Sequence, residues 1–151
     1  MSGKDTKKQS VSVLSPRPED TRASLCIYKE DLDPDEISKL LDLEPSVAQK
    51  KGGLKVHVKE GCDDRTAKVG GWFLSTNSKV KGLDPELHIQ WLVDKITHRH
   101  SVLRKLQQDG YKIEIWVYWL SSSSNASPSL SPDLMRRLAN LRIPIVFDIY
   151  F

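Results

Sequence analysis

Leu32-Asp33-Pro34-Asp35 is written twice more with small changes, as Leu83-Asp84-Pro85-Glu86 and as Leu130-Ser131-Pro132-Asp133. Each is a complete helix start. Asp or Ser at the N-cap accepts hydrogen bonds from the first free backbone N–H groups, and Pro at the first helical position wastes no donor. The acid that follows, or Asp133 after the serine cap, sits against the positive end of the helix dipole. The three boxes therefore divide the chain into strand–helix units.

Working outward from the boxes, Ala23-Ser24-Leu25-Cys26-Ile27-Tyr28 alternates as a strand should, and the first box opens a short helix from Pro34 to about Asp42. Leu54 to Val58 reads as an edge strand within a Lys- and Gly-rich stretch, and Gly70 to Ser75 as a further strand. The second box opens the longest helix, about Pro85 to Gln108, ended by Asp109-Gly110 as a glycine C-cap. Arg99 falls on that helix's apolar stripe, so either its guanidinium snorkels or finds a buried acid, or, the reading preferred here, the helix kinks near Thr97 and the phase resets. Tyr111 to Leu120 alternates throughout and is the clearest strand. The third box starts the last helix, and Ile145 to Phe151 makes a final strand after Pro144. The resulting order predicts an α+β two-layer sandwich: a mixed β-sheet with about three helices packed on one face, ferredoxin-like or related.

The sheet then has two faces of different character. Leu25, Ile27, Ile113, Ile115, Val117, Ile145, Phe147 and Ile149 share the face that should meet the helices. The alternate positions offer Tyr28, Glu114, Trp116, Tyr118, Asp148 and Tyr150, aromatics interleaved with carboxylates. Rings supply contact area at low entropic cost and acids supply orientation, so this face, with Trp72 added, is the candidate binding surface. The competing reading is structural cover of the same rings by residues 46–69 or by a second subunit.

Bulk properties bound the rest. The length of 151 residues suits one domain, expected over residues 21–151 behind a flexible N-terminal tail, residues 1–20, rich in Ser, Lys, Thr and Pro. A net charge of +3, with acids and bases intermixed, makes nucleic acid an unlikely partner. No apolar run approaches the roughly 20 residues needed to cross a bilayer, and no apolar segment follows Lys4, Lys7 and Lys8 as in a signal peptide. Two cysteines, Cys26 and Cys62, make no disulfide framework, which fits a cytoplasmic setting. Chemical motifs are missing: His98 and His100 point apart on a helix, His57 and Cys62 lack metal-site spacing, and no serine has a nucleophile-elbow context. No catalytic residue, metal or cofactor is expected.

The order Arg22-Ala23-Ser24-Leu25-Cys26-Ile27-Tyr28, Asp31-Leu32-Asp33-Pro34-Asp35-Glu36-Ile37 and Leu41-Asp42-Leu43-Glu44-Pro45 resembles the opening of a bacterial family, domain of unknown function 4279. Lys51-Gly52, Gly71-Trp72-Phe73-Leu74-Ser75, Leu130 to Leu134 and Asp148-Ile149-Tyr150-Phe151 continue the resemblance over about residues 22–151. It implies a compact α/β module and brings no activity or established site residues with it. The expected function is a non-catalytic protein-interaction module, with a protein partner or a homodimer. By analogy, an immunity-type protein that blocks a toxin is one form of it. A small-ligand-binding or nucleic-acid-binding module using the open sheet face is the alternative.

Overall fold

The computed structural model describes residues 18–57, 61, 63–122 and 127–151. Val58, Cys62 and most of the expected N-terminal tail lie outside the described residues. The elements run β1 (Pro18–Lys29), α1 (Pro34–Leu41), β2 (Val47–Gln49), β3 (Gly70–Ser75), α2 (Pro85–Ile96), α3 (His100–Gln108), β4 (Lys112–Ser121), α4 (Pro132–Leu141) and β5 (Ile145–Tyr150). β1 begins at Pro18, inside the stretch that reads as tail in the sequence.

All three boxes start helices. The Asp33 carboxylate accepts from Asp35 N at 3.1 Å, Asp84 from Glu86 N at 3.0 Å, and the Ser131 hydroxyl from Leu134 N at 3.2 Å. Pro occupies the first turn in every case. Glu86 also accepts from the backbone N–H of Ser131, so the acid of the second box holds the start of the third helix. The long helix breaks near Thr97, where its pattern favours a kink. Thr97 Oγ1 donates to Val93 O at 2.6 Å, a back-bond that bends helices, and Thr97–Arg99 form a 3-10 turn between α2 and α3. The Arg99 guanidinium is thereby released toward Asp42, 3.8 Å away.

The five strands lie in the order β2-β3-β1-β4-β5. β1 pairs antiparallel with both β3 and β4, β2 pairs antiparallel with β3, and β5 runs parallel to β4. β1 and β2 thus point the same way with β3 between them, and β3 and β4 point the same way with β1 between them. These are two split β-α-β units, to which α4 and β5 add an adjacent parallel crossover. The edge strand on the β3 side is Val47–Gln49 and not the segment from Leu54, which among the described residues makes one isolated bridge, Leu54 to Thr66. Alternation alone could not tell them apart: Gly52 and Gly53 sit where that segment would have to enter the sheet, and Ser46 instead ties the chain down by bonding Phe73 O and Ser75 N.

Ala23, Leu25 and Ile27 on β1, with Ile113, Ile115 and Val117 on β4, pack under Ile37, Leu41, Ile89, Leu92, Ile96, Leu103 and Leu138 in one continuous core. Gly70 enters β3 against Leu32, whose Cβ and carbonyl oxygen would lie 2.7 Å from any added methyl. On β5 the core ends early. Phe147 and Ile149 share the helix-side face with Val117 and Trp119, yet they remain 38% and 40% exposed because the helical layer stops above β4. The sequence pattern assigned them to the core; only the reach of the helices decides that they are not.

One buried polar chain joins the layers. Ala23 N donates to Thr76 Oγ1 at 2.9 Å, the Thr76 hydroxyl faces His88 Nδ1 at 2.6 Å, and His88 Nε2 faces Gly82 O at 2.8 Å. A carbonyl can only accept, so His88 donates from Nε2 to Gly82 O, and in the neutral ring Nδ1 accepts a hydrogen bond from the Thr76 hydroxyl. Thr76→Val preserves shape but leaves a buried N–H and a buried imidazole nitrogen without partners. It should lower unfolding free energy by roughly 1–3 kcal/mol in urea titration, with far-UV circular dichroism unchanged.

Candidate functional site

The face that the helices leave bare is concave, and the concavity comes from side-chain size. Its middle strand, β1, contributes Ser24 and Cys26, while large rings flank them on both sides. On the β3 side stand Tyr28 and Phe73, their ring centroids 5.3 Å apart and edge to face. Gly71 makes that possible: Phe73 folds back across it, and a Cβ there would lie 2.6 Å from the ring. On the β4–β5 side stand Trp116, Tyr118 and Tyr150. The groove between has a volume of about 580 Å³, and His57, edge-on to Phe73, closes one end.

Three neighbouring strands build a stack. The register opposes Arg22 to Tyr118, and the guanidinium lies 4.3 Å from the ring centroid. Tyr150 on β5 reaches diagonally to Tyr118, centroids 5.4 Å apart. The Tyr150 hydroxyl binds the Asp148 carboxylate, and that bond and charge hold its proton on above the usual range. Glu114 is different from the other acids. It is only 6% exposed, accepts from Trp116 Nε1 at 2.8 Å and has Lys112 Nζ 3.8 Å from its other oxygen. A carboxylate is tolerated there only because both oxygens have partners. Its job is to hold the indole of Trp116, which is 39% exposed, at a set angle in the groove wall.

The candidate residues divide accordingly. Tyr28, Trp116, Tyr118, Asp148 and Tyr150 line the groove together. Glu114 stands beneath Trp116. Trp72 does not belong to the surface: it is opposite Ile27 on the helix side, wholly buried, and its Nε1 donates to Ser38 Oγ on α1 at 3.1 Å. Between Gly71 and Phe73, both on the open face, β-strand alternation turns it inward. On the β3 side His57 meets the Phe73 ring, which is buried, while on the β4–β5 side Trp116 and Tyr150 are exposed. Arg22, Ser24, Cys26, His57 and Phe73 complete the site. The first three were readable from their parity with Tyr28 along β1; His57 sits on a loop and carried no signal.

The Cys26 thiol on the groove floor is pushed up to about 12, mainly by burial and further by the Glu114 carboxylate. Its Sγ faces Ser24 O at 3.7 Å. A thiol so placed stays protonated at neutral pH and is no thiolate nucleophile. Burial pushes the Tyr28 hydroxyl up as well, with Cys26 and Glu114 adding to it. Among the described residues no cluster of three or more His, Cys, Asp or Glu could hold a metal ion, and no helix is long and apolar enough to cross a membrane.

Fold and site together define a two-layer α+β protein whose helix-free sheet face is an aromatic groove. The chain belongs to the family described as domain of unknown function (DUF4279), whose model matches residues 19–151. No curated protein and no solved structure matches it.

The raised thiol has a consequence for stability. The unfolded thiol ionises near 9.0 and the folded one only near 12. Its contribution is complete below the unfolded value and is lost as pH rises through the window between them. Thermal melts should therefore show the melting temperature falling between pH 9 and 11, and Cys26→Ala should flatten that fall.

Proposed function

We propose that this protein is a non-catalytic interaction module that captures a segment of a partner protein in the groove of its open sheet face. The observation that carries the reading is the stack of Arg22, Tyr118 and Tyr150 beside the held indole of Trp116. Its charged groups are already matched within the chain: Arg22 to the Tyr118 ring, Asp148 to the Tyr150 hydroxyl, Glu114 to Trp116 and Lys112. What the groove offers a partner is ring surface at fixed angles, the usual material of a binding hot spot. An immunity-type role, blocking a toxin by one-to-one binding, is the form we favour by analogy with other small solitary modules. The strand order β2-β3-β1-β4 supports naming the frame ferredoxin-like, extended by α4 and β5. A bacterial, cytoplasmic setting fits the same reading.

Base stacking on Tyr118 and Tyr150 next to Arg22 favours a second reading, single-stranded nucleic acid, as on RNA-recognition sheets. The acids Glu114 and Asp148 weigh against it because they repel phosphates. A small ligand in the groove is a third possibility for the same rings.

The double variant Trp116→Ala, Tyr118→Ala separates these. Both side chains are at least partly exposed, so the variant should stay folded, with a melting temperature lowered by the loss of the Trp116–Glu114 bond. Affinity for a purified partner, recovered by affinity capture and reassembled one-to-one in calorimetry, should fall by about 30-fold or more, the scale of an interface hot spot. Unfolding of the variant would make the rings structural. Undiminished binding would move the site elsewhere, and salt-sensitive binding of single-stranded RNA would favour the second reading.

A further inference from the structure

The two edges of the sheet are built differently. β2 is three residues long, follows Pro45 and runs directly into Lys50-Lys51-Gly52-Gly53, the devices by which proteins blunt an edge. β5 is twice as long and, although Pro144 precedes it and Asp148 lies within it, carries no Lys or Gly. Ile145-Val146-Phe147-Asp148-Ile149-Tyr150 keeps an unbroken register with β4, contains no Pro, Gly or Lys, and among the described residues pairs on one side only. A strand of that kind is a template for another strand.

The direction of its free groups follows from the ladder. Ile115 N donates to Pro144 O at 3.0 Å, so Pro144, and with it Val146, Asp148 and Tyr150, turn their backbone groups toward β4. Ile145, Phe147 and Ile149 turn theirs outward. The same three side chains lie on the helix-side face, where Phe147 and Ile149 stay half-exposed beyond the helical layer, and Phe151 follows them at 66% exposure. One edge therefore presents free N–H and C=O groups and a row of uncovered apolar side chains at the same residues.

We infer that this edge pairs with β5 of a second copy of the chain, antiparallel about a two-fold axis at Ile149, giving a continuous ten-stranded sheet. Self-pairing fits because an axis perpendicular to the sheet keeps both helical layers on one side and brings the two apolar rows together. Phe147 then faces the partner copy's Phe151, and Ile149 faces its own equivalent as a hydrogen-bonded pair. Charge excludes the register about Asp148, which would set the Asp148 carboxylates of the two copies directly opposite each other, a destabilising pair. With the axis at Ile149, each Asp148 instead faces a Tyr150 hydroxyl, the donor it already uses within its own chain. The open faces of the two copies also join, and Asp148 and Tyr150 of both line the seam between their grooves. The pairing does not depend on what the groove binds.

Sedimentation equilibrium of the full chain tests it. The expected mass is about twice 17.1 kDa. Ile149→Pro removes an outward N–H and no bond to β4, so it should weaken dimerisation at least ~10-fold while the circular dichroism spectrum and melting temperature hold. Should that variant lose its fold, Ile149→Lys places a charge in the seam and is read the same way. Ile149→Cys should form an interchain disulfide on mild oxidation, because directly opposed hydrogen-bonded residues have Cα atoms about 5.5 Å apart; Val146→Cys should not. A monomer up to ~100 µM, on the scale of a weak complex, would overturn the inference. So would a dimer that survives both Ile149→Pro and Ile149→Lys. Trp116→Ala, Tyr118→Ala should still dimerise, which separates this failure from failure of the groove as a binding site.

Discussion

Everything in the molecule depends on the double pairing of β1. It is the central strand of the sheet, hydrogen-bonded to β3 on one side and β4 on the other, both of which run antiparallel to it. Its backbone groups are therefore satisfied on both edges and its side chains divide into two jobs. Ala23, Leu25 and Ile27 enter the core, and Ser24 and Cys26 leave a hollow on the other face. A larger residue at either small position would fill the groove from its floor. The polar chain from Ala23 through Thr76 to His88 secures the same strand to α2, so the strand that shapes the groove is also tied to the helical layer.

The groove shows how a protein keeps acids in an apolar wall. Glu114 sits almost fully buried because Trp116 and Lys112 occupy both its oxygens. Asp148, on the neighbouring strand, is matched to Tyr150 two residues along it. Each charge is answered locally, so little net field remains to steer a charged ligand, and recognition falls to the shape and orientation of the rings. The raised Cys26 thiol belongs to the same logic: a buried carboxylate nearby makes a second negative charge on the floor costly.

Much of this was legible in the residues. The helix starts were written in Asp33-Pro34, Asp84-Pro85 and Ser131-Pro132, because capping is a local interaction between a side chain and the next few backbone N–H groups. The position of Arg99 pointed to the break at Thr97 without requiring it, since a long cation on an apolar stripe can also snorkel; the Thr97 back-bond and 3-10 turn decide it. Alternation along Tyr111 to Leu120 separated the two faces of β4 correctly. The readings that failed share a cause. Trp72 was assigned to the open face although Gly71 and Phe73 set its parity, and Phe147 and Ile149 were assigned to the core although nothing local limits how far a helix layer extends.

Local chemistry in this chain therefore determined where helices begin and break, which residues alternate, and that the two faces of the sheet differ, because those depend on neighbours within a few residues. Tertiary structure alone decided three other things. It chose Val47–Gln49 over the segment from Leu54 as the edge strand; it brought Arg22, Tyr118 and Tyr150 from three strands into one stack; and it left β5 uncovered. Each depends on strand order and on how far one layer reaches over another, and these are settled by the packing of distant segments rather than by any run of residues.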